Sequence, residues 1–101
     1  DDAINALELV MNSDECNGRI VHIGTNVETK IVDLVKNLFD ICNYSPKFEL
    51  VNAPIGSVDR RCPDISLLSE LTGYKPKFNL DYGLRESCDW YLNYYRRNKN
   101  V

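Results

Sequence analysis

The sequence has a single histidine, His22, and none of its four cysteines belongs to a Cys-x-x-Cys pair. Zinc sites are usually built from closely spaced cysteines and histidines, so we expect no metal ion. Positive charge is not in excess either: the formal net charge is -3, which argues against a nucleic-acid or anionic-membrane binder. No apolar run approaches the roughly 20 residues that cross a bilayer, so no membrane segment is predicted.

Glycine is also scarce, and no Gly-x-Gly-x-x-Gly fingerprint occurs. The chain therefore lacks the phosphate-binding turn of dinucleotide-binding proteins. Its 101 residues, 44% of them hydrophobic, predict one small globular domain with a single core. Because the chain has no initiator Met and opens at what looks like a helix start, we interpret it as a domain of a longer protein.

Cysteine usage indicates a reducing compartment. Two disulfides are arithmetically possible, but no signal sequence is present, and Cys42 and Cys88 fall on apolar helix faces, as buried free thiols do. We therefore expect reduced cysteines and a cytoplasmic protein.

Apolar periodicity predicts four helices and two strands. The helices are residues 3–11, residues 30–42 with Thr29 as N-cap, a short helix stopped by Gly73, and residues 80–97 capped by Asn79. The β-rich runs are residues 19–23 and 47–51. Strand, helix and strand over about 30 residues make a βαβ unit, whose strands are parallel. The predicted fold class is α/β, a small lobe with a short parallel sheet flanked by helices.

The main candidates for ligand binding are Arg60 and Arg61, which follow the turn-rich loop 52–58. Guanidinium groups offer planar bidentate donors to phosphate and stay charged at any working pH. Ligand contacts also concentrate in loops that rigid elements hold. The alternative is an arginine pair that simply faces water.

Other candidates are weaker. A single histidine without a nucleophile or second ligand is more often structural than catalytic, which applies to His22. Six tyrosines and one tryptophan could stack on a nucleobase, but aromatic residues at helical spacing more often belong to a core or an interface.

Five segments together carry a resemblance to a known family. They are Asp1-Asp2-Ala3, Ile23-Gly24-Thr25-Asn26, Arg61-Cys62-Pro63-Asp64-Ile65, Leu71-Thr72-Gly73-Tyr74-Lys75-Pro76 and Leu80-Asp81-Tyr82-Gly83-Leu84. In this order and spacing they resemble the C-terminal end of the extended short-chain dehydrogenase/reductases (SDRs), the NAD-dependent nucleotide-sugar epimerases, dehydratases and decarboxylases. The resemblance covers nearly the whole chain.

The resemblance implies that residues 1–101 are the C-terminal substrate-binding domain of an enzyme whose N-terminal Rossmann domain binds NAD. It also implies that the loop 52–58 closes over the nucleotide part of a UDP- or dTDP-linked sugar and that Arg61 contacts the diphosphate, with Arg60 a weaker candidate. Ile55 stands where relatives often carry a polar or aromatic contact, so the base contacts stay open. A homodimer is possible.

The chemistry of this family needs a glycine-rich NAD turn and a Tyr-x-x-x-Lys pair. We expect this chain to supply neither, and so neither to bind NAD nor to be catalytic alone. Whether the parent is an isomerase or a lyase stays open. Two other functions also remain: an SDR reductase that does not use nucleotide-sugars, and a non-catalytic interaction module whose apolar first helix and Tyr-rich last helix bind a partner protein.

Overall fold

The computed structural model describes residues 1–99, and the regular secondary structure there is helical. The elements are α1 (Asp2–Met11), a 3-10 turn (Asp14–Cys16), α2 (Ile31–Ile41), α3 (Ser66–Thr72) and α4 (Leu80–Asn98). All four predicted helices are confirmed, with small differences at their ends. The side chain of Thr29 does not cap α2, which follows Lys30 without any side-chain cap.

These residues form two compact units, whereas the length predicts one small globular domain; the described residues contain one cluster of buried apolar side chains, which lies in the first unit. The first contains Asp1–Glu28 and Pro54–Lys77, and the second contains Thr29–Ala53 and the segment that starts at Phe78. Helices α1 and α3 therefore belong to the first unit, and α2 and α4 to the second.

The predicted α/β lobe with a short parallel sheet is wrong, because no strand forms in residues 1–99. The β-rich run 19–23 lies in the first unit and the run 47–51 in the second. Ile20 and Leu50 are largely exposed. A strand exists only when its backbone N–H and C=O groups pair with a neighbouring strand, and β propensity depends strongly on that context. Without such pairing, both runs remain irregular.

The first unit is built around a small core in which α1 packs against α3. Its buried members are Ala6, Ile65, Leu68 and Tyr74, and the half-buried residues Leu9, Val10, Val21 and Ile23 pack against them. Gly73 ends α3 in the left-handed region, with φ 70°, as predicted from its position after the helix. The chain then returns to the core at Tyr74. The carboxylate of Asp2 accepts the backbone N–H of Lys77 at 3.1 and 3.2 Å, which holds this return segment to the start of α1.

The second unit is a pair of helices. Helix α2 packs against α4, and a disulfide joins Cys42 to Cys88. The prediction that these two cysteines are free thiols is therefore wrong. Cys42 is the C-cap residue of α2, and Cys88 is the buried residue of α4. Cys16 and Cys62 are free.

The start of α4 is fixed as the sequence predicts. Asn79 is the N-cap, and its side-chain oxygen accepts the backbone N–H of Tyr82 at 2.9 Å. None of the helices in residues 1–99 combines the length and apolar character that crossing a membrane requires.

Candidate functional site

Arg60 and Arg61 lie in an exposed loop of the first unit, just before α3. We call residues 59–64 the arginine loop. The loop runs beside residues 22–28, which we call the backing segment, and contacts it at two places. Both predicted site residues are thus in one loop, but their surroundings differ.

The guanidinium of Arg60 is held by Glu28 through two parallel hydrogen bonds. Its Nε donates to Oε1 of Glu28 and its Nη2 donates to Oε2, each at 2.6 Å. The hydrogen bond and the charge of Glu28 raise the pKa of Arg60. Both side chains are exposed, so we expect the pair to add little stability. Its main consequence is geometric, because a bidentate pair fixes the direction of the guanidinium.

Pro63 packs directly on the backbone of Gly24. A β-carbon at position 24 would come within 2.7 Å of Cγ of Pro63. No larger side chain fits there unless one of the two segments moves. The glycine of the Ile23-Gly24-Thr25-Asn26 segment is therefore explained by this close approach to the arginine loop.

Asp64 is the last residue of the arginine loop, and its side chain binds Ser66, the first residue of α3. Its Oδ1 accepts the hydroxyl of Ser66 at 2.5 Å and the backbone N–H of Ser66 at 2.9 Å. These hydrogen bonds lower the pKa of Asp64, and the nearby charge of His22 acts in the same direction. His22 itself is exposed.

Arg61 differs from its neighbour. It is exposed, and within residues 1–99 it makes no hydrogen bond or ion pair. Arg60 is occupied by a carboxylate, whereas the planar donors of Arg61 are available to an anion. The sequence identified both arginines but had no signal for this difference, because Glu28 lies 32 positions away from Arg60.

The loop before the arginines contains a turn in which the backbone N–H of Ser57 donates to the carbonyl of Pro54 at 3.0 Å. Gly56 has φ 84°, a conformation that favours glycine. Ile55 is fully exposed at the tip of this turn.

The remaining chemistry in the described residues is sparse. No group of three or more His, Cys, Asp or Glu side chains in residues 1–99 is arranged to hold a metal ion. The chain has no glycine-rich turn that fits the pyrophosphate of NAD, so we derive no step through that cofactor from these residues.

Tyr95 and Lys99 have the Tyr-x-x-x-Lys spacing, so the expectation that the chain supplies no such pair is wrong as a statement about spacing. Tyr95 is 61% exposed in the last turn of α4, and Lys99 is the C-cap residue, whose backbone N–H donates to the carbonyl of Tyr95. This is the ordinary relationship of two residues one helical turn apart, and we assign the pair no catalytic role.

Comparison with known proteins supports the predicted family. The chain is 33% identical over 84 residues to a UDP-glucuronate 4-epimerase of Arabidopsis thaliana, which covers 82% of this chain. It is 26% identical over 98 residues, 89% of the chain, to a UDP-N-acetyl-alpha-D-glucosaminuronate decarboxylase of Bacillus cytotoxicus. It is 28% identical over 106 residues, 99% of the chain, to a dTDP-D-glucose 4,6-dehydratase of Mus musculus.

This chain is similar to part of several nucleotide-sugar enzymes. It covers only 19%, 30% and 30% of the length of these three relatives, respectively. No protein-family model matches the chain. No solved structure matches it significantly.

Proposed function

We propose that this chain is the C-terminal substrate-binding part of an extended SDR enzyme that acts on a UDP- or dTDP-linked sugar, and that Arg61 contacts the diphosphate. The observation that carries the proposal is the contrast inside the arginine loop. Arg60 is paired with Glu28, whereas Arg61 is exposed with all its donors available. The three relatives named above add support, because each is named for a reaction on a nucleotide-linked sugar.

The role of Arg61 in such an enzyme is to position the substrate. A guanidinium on the diphosphate binds a part of the substrate that does not react, and this binding energy orients the sugar at the reacting centre. In the parent enzyme, NAD would supply the hydride chemistry at the sugar. The residues of this chain would bind and orient the nucleotide-linked sugar, and the chemical step would depend on residues outside the chain.

Titration of UDP and dTDP into the intact protein that contains this sequence tests the proposal. Charge-assisted hydrogen bonds contribute about 1.5–3 kcal/mol, so Arg61→Ala should weaken binding of both ligands roughly 10-fold to 100-fold. The affinity of Arg61→Lys should lie between those of the wild-type protein and Arg61→Ala, because lysine keeps the charge but lacks the planar guanidinium. Arg97→Ala, which removes an exposed arginine of α4, serves as the charge-matched control. Equal affinity of the wild-type protein and Arg61→Ala would remove Arg61 from the site.

A second candidate function, binding to a partner protein, is favoured by exposed apolar side chains on two helices. On α1, Ile4, Leu7 and Met11 are exposed. On α4, the rings of Trp90 and Tyr94 stack at 5.4 Å while both remain more than half exposed. Exposed apolar clusters often mark interaction surfaces.

Light scattering on the intact protein and on Trp90→Glu examines self-association through the α4 cluster. A larger mass for the wild-type protein than for the variant would support this second function. The same monomeric mass for both would exclude self-association through Trp90. If UDP binding depends on Arg61, nucleotide-sugar binding is favoured, whichever mass light scattering gives.

A further inference from the structure

The arginine loop contacts the backing segment at two successive places. Pro63 packs on Gly24, and Arg60 pairs with Glu28. Position 63 of the loop meets position 24 and position 60 meets position 28, so the two stretches run in opposite directions. Arg61 lies between these two contacts and takes part in neither of them.

We propose that Glu28 is a positioning residue of the anion site: by holding Arg60, it fixes the arginine loop so that Arg61 is the guanidinium presented to the ligand. This inference rests on the proposed function, because it assigns Glu28 a role that is exerted through Arg61. Glu28 does not touch the ligand in this arrangement.

The electrostatics of two adjacent guanidinium groups support this role. Arg60 and Arg61 carry like charges on neighbouring residues, and Glu28 neutralises one of them through a bidentate pair. Without Glu28, Arg60 would be a second free cation with many side-chain conformations, and one end of the loop would lose its attachment. A loop that is already fixed in its binding conformation loses less conformational entropy when the ligand binds.

The opposite role for Glu28 predicts an opposite result. If the carboxylate of Glu28 only competed with a phosphate group for Arg60, removing the carboxylate would free a second guanidinium and strengthen anion binding. A positioning role predicts weaker binding on removal. The sign of the change therefore separates the two roles.

The test measures affinity for UDP and for inorganic pyrophosphate in the intact protein and in Glu28→Gln, which has nearly the same shape without the charge. Coupling between neighbouring residues typically corresponds to a change of at least about twofold to threefold in affinity, and we expect at least that loss for both ligands. Glu70→Gln, an exposed carboxylate of α3 in the same unit, is the control and should bind as the wild-type protein does. Unchanged or tighter binding in Glu28→Gln would overturn the proposal, as would a loss confined to UDP.

A double-mutant cycle distinguishes positioning from a general effect on folding. Because Glu28 acts through Arg61, Glu28→Gln should have no further effect on affinity in the Arg61→Ala background. An equal loss in both backgrounds would show that Glu28 acts independently of Arg61 and would contradict the proposal. Arg60→Lys, which keeps the charge but cannot form the two parallel bonds, should weaken binding in the same direction as Glu28→Gln.

Exchanging the side chains of Glu28 and Arg60 tests whether the ion pair itself supports ligand binding. The double variant Glu28→Arg with Arg60→Glu should recover at least part of the affinity that either single change removes, and no recovery would count against the pair as the attachment.

Failure of this inference is distinguishable from failure of the proposed function. If Arg61→Ala weakens binding and Glu28→Gln does not, only the positioning role is wrong; if Arg61→Ala binds normally, the proposed function is wrong.

Discussion

Pro63 lies so close to Gly24 that no β-carbon fits between them: the Cγ of Pro63 would be 2.7 Å from it. This contact joins the arginine loop to the backing segment. It also connects two of the segments by which the sequence resembles the extended SDRs, one ending in Asn26 and one beginning with Arg61. The two segments are therefore parts of one local arrangement in the first unit.

Gly24→Ala should destabilise the first unit, because either Pro63 or the backbone near residue 24 must move. Overpacking of this kind typically costs about 1–3 kcal/mol in the free energy of unfolding, which urea denaturation would measure. The comparison is Gly83→Ala, since a β-carbon there meets nothing within 4 Å and the residue lies inside α4. That change should stabilise the protein by up to about 1 kcal/mol, because alanine is the better helix former. Equal effects of both changes would show that the Gly24–Pro63 contact is not tight.

Asn79→Ala should weaken α4 at its beginning. The side-chain oxygen of Asn79 satisfies the backbone N–H of Tyr82, which otherwise has no partner within the helix. Loss of such a cap usually costs about 1 kcal/mol, and both the thermal midpoint and the helical circular-dichroism signal should fall. Asn93→Ala, on the exposed side of the same helix, is the matched control and should not lower either quantity. The role of the cap is refuted if the two variants behave alike.

The Cys42–Cys88 disulfide predicts a redox-dependent stability. It closes a loop across 46 positions, and by loop-closure arguments a disulfide contributes about 2–4 kcal/mol. Reduction should lower the thermal midpoint of the wild-type protein and leave that of the Cys42→Ser, Cys88→Ser double variant unchanged. In the unfolded, unreduced protein, Cys16 and Cys62 should react with a thiol reagent and Cys42 and Cys88 should not, as peptide mapping would show. Labelling of Cys42 and Cys88 before reduction would contradict the disulfide and agree with the expectation of reduced cysteines.

Asp64 predicts a pH dependence at the acidic end. Its pKa in the folded protein is lowered from 3.8, chiefly by the hydroxyl and backbone N–H of Ser66. A carboxyl group with a lowered folded pKa contributes stability above its unfolded pKa, and the contribution is lost as the pH falls through the folded value. The carboxyl resonance of Asp64 should therefore titrate below pH 3.8. In Ser66→Ala the midpoint should rise, and in Ser57→Ala it should not; a normal midpoint in the wild-type protein would contradict the hydrogen bonds.

The helices were predictable because their signals are local. The stop at Gly73 and the cap at Asn79 depend on residues a few positions away, and both are found where they were expected. The strands were not predictable in the same way. Burial alternates within residues 20–23, since Val21 and Ile23 pack against the core and Ile20 does not. Alternation of apolar residues indicates which face of a segment is buried. A strand also needs a neighbouring strand to pair with, and no sheet forms in the described residues.

The candidate site shows the same limit. The sequence placed Arg60 and Arg61 in one loop, which depends only on their adjacency. It could not show that Arg60 is already paired, because that depends on a contact with Glu28 across 32 positions. The disulfide was missed for a similar reason: the apolar faces of α2 and α4 were evident, but their mutual packing was not.

The most direct test of the central proposal is a structure of the intact protein with UDP bound. We predict a nitrogen of the Arg61 guanidinium about 2.7–2.9 Å from a diphosphate oxygen, with Arg60 still paired to Glu28. A diphosphate bound elsewhere, with Arg61 facing solvent, would contradict the proposed function.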